Sequence, residues 1–265
     1  MNSPSDWQIT ISPGGDATLQ RFSLDPGHIF DDPRITVWRD LPERQNAYML
    51  ASSTSIGPAR LHIKRYKSPH GPEAATEAGA VELLRQAGIA TVPLVAWGTS
   101  PDGRGFLISS DLTGMIPADQ AIRNATSDTN ILPRIGALAA KLHRSGLHHR
   151  DLYLCHFFVD PGDDRSEVHL IDPGRVSRLP RVPLNLRWIV KDLAQLCYSL
   201  RETGMGGKQN DELLRCYFAQ GQVPCQWLIR RLIPLKTAFI ARHDRKLRTR
   251  QPTRNISIGQ ANPKQ

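Results

Sequence analysis

Between Gly146 and Phe158 the chain reads GLHHRDLYLCHFF. Three imidazoles (His148, His149, His156), one carboxylate (Asp151), a guanidinium, a phenol and a thiol fall within a few positions. Side chains of these types can ligate a metal, move a proton or line a polar turn. Three histidines could begin a zinc site, but no further ligand follows at a fitting spacing. A carboxylate in a loop can accept the hydrogen of a hydroxyl group. A second carboxylate, Asp172, lies 21 residues beyond Asp151 and closes the apolar run VHLID before Pro173 and Gly174. Its oxygens suit a hard cation.

Those residues need elements to position them. The runs RITVW, NAYMLAS and ARLHIKRY read as strands, with a hairpin expected around Pro13-Gly14-Gly15 before them. A helix is predicted from Pro72, with Glu73 and Glu77 near its positive end, Val81 and Leu84 on its apolar face, and Gly88 as its stop. LVAWG and RGFLISS are two more strands. After Ser109 the pattern changes. Ile131, Leu132, Ile135, Leu138, Ala139 and Leu142 share one helical face, with Asp128 to Asn130 as cap candidates and Gly146 as the stop. The polar loop follows at once, then FFVD and VHLID flanking a turn. RWIVKDLAQLCYSL is an apolar helix ended by Gly204. Asp211–Gln220 and Pro224–Arg242 are further helices, with a kink expected at Pro234.

A helix, a loop bearing an aspartate, a hairpin and a second aspartate before a glycine resembles the catalytic half of protein kinases, whose pattern is HRDLxxxxN followed by DFG. Here it reads HRDLYLCH and DPG. The strand-rich part holds the other half: Lys64 in LHIKRY, and Glu77 13 residues on in the helix. The fold class expected is α+β and bilobal, protein-kinase-like, with a β-rich N-lobe holding one helix (1–108) and a mainly helical C-lobe (109–243). A basic, flexible tail (244–265) is expected to follow.

Phosphoryl transfer explains these residue types. A cation must hold the triphosphate, a role for Lys64, and an acid must orient that lysine. Glu77 suits this, and Glu73, one turn earlier, is the competing choice. Asp172 would hold Mg²⁺, and Asp151 would take the hydrogen of the acceptor hydroxyl. His156 stands where asparagine is expected. It either touches the metal or orients Asp151, or it packs at the start of the strand. His149 reads as structural, packing beneath the loop.

HRDLYLCHFF closely resembles the loop of the lipopolysaccharide core (Kdo/heptose) kinases. The likeness extends to TEAGAVELLRQAGIATVPLVAWG, RGFLISSDL and RWIVKDLAQLCYSL, covering roughly 59–200. It implies an ATP- and Mg²⁺-dependent enzyme that phosphorylates a heptose or Kdo hydroxyl, or a related glycolipid. It also implies that Glu77 rather than Glu73 pairs the lysine, and that Asp192 braces the catalytic loop. Two departures stand out. The family motif ID-L-H-R is Ile171-Asp172-Pro173-Gly174-Arg175 here, and ASSTSIG is the nearest thing to a glycine-rich loop.

Charge adds to this reading. The net charge is +9, which favours anionic partners. From Gly174 to Lys191 there are five basic residues and no acid. Arg175, Arg178 and Arg181 are therefore acceptor-binding candidates for an acidic sugar. From Arg242 to Arg254 six basic residues accompany one acid, Asp244. That stretch suits peripheral contact with the anionic inner membrane. No motif supports nucleic-acid binding. No run reaches membrane-spanning length and no signal-like start is seen, so a cytoplasmic protein is expected. Cys155, Cys197, Cys216 and Cys225 lack a paired spacing and read as small, reduced, buried hydrophobes. The alternatives are a phosphotransferase for a small molecule or a protein, and a non-catalytic binding module.

Overall fold

Leu61 and Ile63 alternate with His62 and Lys64 along one strand, so the two sets project to opposite faces. The computed structural model describes residues 7–51, 59–124, 130–220, 223 and 225–250. These divide into two compact units: Met1–Leu83 with Thr91–Thr113, and Leu84–Ala90 with Gly114–Gln265.

In the first unit, β1 (Gln8–Ile11), β2 (Thr36–Asp40), β3 (Arg44–Leu50), β4 (Arg60–Tyr66), β5 (Leu94–Thr99) and β6 (Gly105–Ser110) form one antiparallel sheet. Its order is β1-β5-β6-β4-β3-β2. One face carries the apolar cluster of Leu61, Ile63, Ala47, Met49, Phe106 and Ile108. Helix α1 (Gly15–Arg21) adds Leu19 to it. The hairpin expected around Pro13-Gly14-Gly15 is therefore not formed. Those residues turn β1 into a short helix, since Gly14 takes the left-handed conformation at its N-cap. The unit thus holds a second helix beside α2 (Pro72–Gln86). Ala74 and Ala78 of α2 pack with Tyr66 and Leu107. Methyl-sized contacts bring the α2 backbone close to the sheet.

The second unit is helical apart from short ribbons. Strand β7 (Ile116–Pro117) leads into α3 (Ala118–Asn124), and α4 (Ile131–Arg144) follows. Asn130 is the N-cap of α4 without a side-chain capping bond, and Gly146 leaves the helix at φ +70. Strand β8 (Leu147–His148), β9 (Phe157–Val159), β10 (His169–Leu170) and β11 (Ser177–Arg178) come next. They pair as β10-β9-β7 and β11-β8. Then come α5 (Leu184–Glu202), α6 (Lys208–Ala219) and α7 (Gln226–Arg250). Helix α4 lies so close to α6 that a Cβ on Gly136 would stand 2.6 Å from the Leu213 carbonyl. Only glycine fits that crossing.

Two expectations change here. Pro234 sits inside an α7 that remains one helix to Arg250, seven residues into the stretch read as a tail. Within that stretch Asp244 is buried and accepts a hydrogen bond from Tyr198 of α5. Of the four free cysteines, Cys197 alone is buried; Cys155 and Cys216 are half-buried and Cys225 is exposed. The ASSTSIG segment lies outside the described residues, apart from Ala51.

Candidate active site

In the first unit, Lys64 and Tyr66 leave β4 on the same face because they are two residues apart. Glu77 of α2 meets both. Its Oε1 is 2.5 Å from the Lys64 ammonium, and the Tyr66 hydroxyl donates to its Oε2 at 2.5 Å. Glu77 is 5% exposed, so its charge rests on these two partners. Glu73 points elsewhere, 2.7 Å from His70 Nδ1. Tyr66 was not among the residues singled out above, although its place two residues after Lys64 was visible in the sequence.

In the second unit, the loop after β8 is hung from one face of α5. Asp192 accepts hydrogen bonds from the backbone N–H groups of His149 (2.8 Å) and Arg150 (2.9 Å). Gln195 accepts from the Leu152 N–H at 3.1 Å and donates to the Arg150 carbonyl at 2.9 Å. The Lys191 ammonium donates to that same carbonyl at 2.5 Å. Ser199 accepts from the Leu154 N–H at 3.0 Å. Asp192, Gln195 and Ser199 recur every three to four residues and so share a helix face. Lys191, Gln195 and Ser199 were missed in the sequence reading. Their signal was polar spacing within an otherwise apolar helix.

Asp192 is 0% exposed. Burial would raise its carboxyl, but the hydrogen bonds from His143 and the His149 backbone win and hold it below the usual carboxylate range. His149 is packed beneath the loop. Burial pushes its imidazole down to about 4, leaving it neutral. Its Nε2–H then donates to the Ile171 carbonyl at 3.1 Å. That bond anchors the residue next to Asp172. Both Arg150 (φ +72) and Asp172 (φ +55) are in the left-handed region, a strained state for a side-chain-bearing residue.

Imidazole His156 joins the two aspartates. Its Nδ1 donates to the Asp151 carbonyl at 2.6 Å, and its Nε2 is 3.8 Å from Asp172 Oδ2. Burial opposes a charge on this ring, but the Cys155 sulfur and the Asp172 carboxylate hold its pKa up to about 9. His156 Nε2 is a buried polar atom without a hydrogen-bond partner. The fit of a hard cation rests on the Asp172 carboxylate, whose oxygens suit Mg²⁺; the charged imidazole beside it is its counter-charge and not a ligand. His148 does not share in this. It bonds Ser177 Oγ at 2.9 Å and stacks on Trp188 at 4.7 Å. Among the described residues no three His, Cys, Asp or Glu side chains gather as a metal site.

Arg175 ends the one-turn 3-10 helix that follows Asp172. Its Nη1 donates to both Asp151 oxygens, at 3.0 and 3.2 Å. Arg178 and Arg181 are exposed beyond it. Of the three arginines read as acceptor-binding, Arg175 is the one seated on the Asp151 carboxylate.

Residues 29–217 match the lipopolysaccharide kinase (Kdo/WaaP) family, a span holding Lys64, Glu77, Asp151, His156, Asp172 and Asp192. The chain belongs to that family. It is 29% identical over 158 residues to the lipopolysaccharide core heptose(I) kinase WaaP of Escherichia coli, covering 54% of this chain and 59% of that protein. It is 27% identical over 159 residues to the WaaP of the same description from Pseudomonas aeruginosa, covering 52% and 57%. The chain thus spans under two thirds of the length of the curated relatives it matches. The crystal structure of an aminoglycoside-3'-phosphotransferase of type VIII has a similar fold, with a TM-score of 0.51 at 17% identity over 76% of this chain and 92% of that one. This Kdo/WaaP-family member therefore has the protein-kinase-like fold.

Proposed function

We propose that this chain is an ATP-dependent phosphotransferase that phosphorylates a sugar hydroxyl of the lipopolysaccharide inner core, heptose or Kdo, or a related glycolipid. The observation that carries the reading is the Asp192-held loop presenting Asp151, with His156 spanning from Asp151 to Asp172. A loop tied down at its backbone keeps its acidic side chain in one place, as proton transfer requires.

Each residue has a role in this proposal. Lys64 binds the α- and β-phosphates, and Glu77 fixes its ammonium. Asp172 holds Mg²⁺, with His156 on the inner side of that carboxylate. Bound Mg²⁺ would neutralise charge on the transferring phosphoryl group. Asp151 orients the acceptor hydroxyl and takes its hydrogen. Arg175 lies on Asp151 and must give way to the acceptor. An acidic or phosphorylated sugar offers it a new partner, and Arg178 and Arg181 extend that basic surface. An acceptor embedded in lipid would bring the protein to the cytoplasmic face of the inner membrane. No described helix is long and apolar enough to cross a membrane.

Incubation with ATP, Mg²⁺ and dephosphorylated core glycolipid should add one phosphate to the glycolipid, read by mass spectrometry. If Mg²⁺-ATP raises the melting temperature but no core glycan is modified, the acceptor is wrong. If neither occurs, the phosphotransferase reading fails.

A finer prediction concerns Tyr66. Tyr66→Phe keeps the ring and removes one hydrogen bond to a buried carboxylate, worth about 1.5–3 kcal/mol. Glu77 then holds Lys64 less firmly. The KM for ATP should rise roughly tenfold, with the acceptor KM unchanged.

A further inference from the structure

Helix α7 lies C-terminal to the family-matched residues 29–217. Its inner face is accounted for. Ile229, Ile233, Thr237 and Asp244 are buried. Thr237 donates to the Ala194 carbonyl, Tyr198 to Asp244, and Arg248 bonds Glu202, so the inner face lies along α5.

The outer face is unusual. Trp227 is 65% exposed, Leu235 67% and Phe239 61%. Exposed apolar residues scattered singly are ordinary. These three are not scattered. Trp227, Arg231, Leu235 and Phe239 follow one another at four-residue steps, and Arg242 and Lys246 continue the same side. The Arg231 guanidinium lies 5.9 Å from the Trp227 ring centre, and the Lys236 ammonium 4.6 Å from that of Phe239. The one acid in the helix, Asp244, is on the buried side and bonded there. The outer face therefore carries aromatic and aliphatic groups among cations, with no carboxylate.

We infer that the outer face of α7 docks on an anionic lipid bilayer, lying in the plane of its surface. Trp, Leu and Phe enter the boundary between headgroups and acyl chains, and Arg231, Arg242 and Lys246 meet lipid phosphates. A second copy of the chain fits poorly. A symmetric pair would place the same cations face to face across the contact, with no acid to balance them. Nucleic acid could satisfy the charges, but it offers no apolar phase for Leu235. Helix α5 also carries the loop of Asp151, through Asp192, Gln195 and Ser199. A bilayer against α7 would thus lie one helix away from that loop. The inference does not depend on the phosphotransfer reading.

The test is sedimentation of the full chain with phosphatidylcholine vesicles and with phosphatidylcholine–phosphatidylglycerol vesicles. Binding should require phosphatidylglycerol and weaken with salt. The triple variants Trp227→Ser/Leu235→Ser/Phe239→Ser and Arg231→Glu/Arg242→Glu/Lys246→Glu should each bind about tenfold more weakly or worse. Both should keep the wild-type unfolding temperature, because neither alters the α5 side. Equal binding to both vesicle types, or binding unchanged in both variants, overturns the inference. So does a dimer of the wild type that the apolar variant alone makes monomeric, or single-stranded DNA binding that depends on these residues while vesicles do not bind.

Discussion

Asp151→Asn should lower phosphotransfer by about 10²–10⁴-fold while leaving the fold intact. The amide keeps the size and one acceptor oxygen of the carboxylate, but it cannot take a proton at neutral pH. Stability should hardly change, because the group lost is the surface pair with Arg175. The Arg175 side chain is 55% exposed and that of Asp151 30%, and exposed pairs contribute about 0–1 kcal/mol. The loop itself hangs on backbone bonds to Asp192 and Gln195, which the substitution does not touch. The measurement is transfer from labelled ATP beside a thermal melt. Undiminished transfer would remove Asp151 from the mechanism. Activity lost together with several degrees of melting temperature would make it a structural residue instead.

Asp192→Ala should have the opposite profile, with stability and activity falling together. The carboxylate is wholly buried, accepts two backbone N–H bonds and lies 3.3 Å from His143 Nε2. Removing it strands those donors without water to replace it. Breaking a buried, fully bonded charge in this way costs about 3–5 kcal/mol. For a chain of this length that lowers the melting temperature on the order of 10 °C. The left-handed Arg150 backbone is held by these same bonds, so the loop should relax and activity should fall even in molecules that remain folded.

The pH dependence carries a sign. The Asp192 carboxyl is held below its ordinary range in the folded state. Its contribution is therefore complete above the unfolded value of about 3.9 and is lost as pH falls through the lower folded value. In Asp192→Asn the acid-dependent part of the stability should shrink, flattening the unfolding curve at the acid end. An unchanged acid transition would contradict the bracing role.

Much of the site was legible in the chain itself. Lys64 on a strand, Glu77 13 residues on, Asp151 after an apolar helix and Asp172 before Pro-Gly are local patterns. Local patterns survive folding because strand alternation and helix periodicity act over a few residues. The protein-kinase-like order of elements followed from the same periodicities. The misreadings had long-range causes. Pro13-Gly14-Gly15 suited a hairpin, but the left-handed Gly14 starts a helix whose Leu19 completes the sheet core. The stretch from Asp244 read as a tail by composition; as far as Arg250 it continues α7, where Tyr198, 46 residues before Asp244, donates to that carboxylate.

The sequence by itself pointed to the candidate groups and determined the elements that carry them, because residue type and spacing are local properties. Only the tertiary structure decided which groups meet. Tyr66 shares Glu77 with Lys64, the polar face of α5 holds the backbone around Asp151, and Arg175 pairs with Asp151 at the surface. Such pairings join residues 24 to 45 positions apart in the second unit. No periodicity reaches that far. The buried ones form because a polar group removed from water must find its partners within the protein.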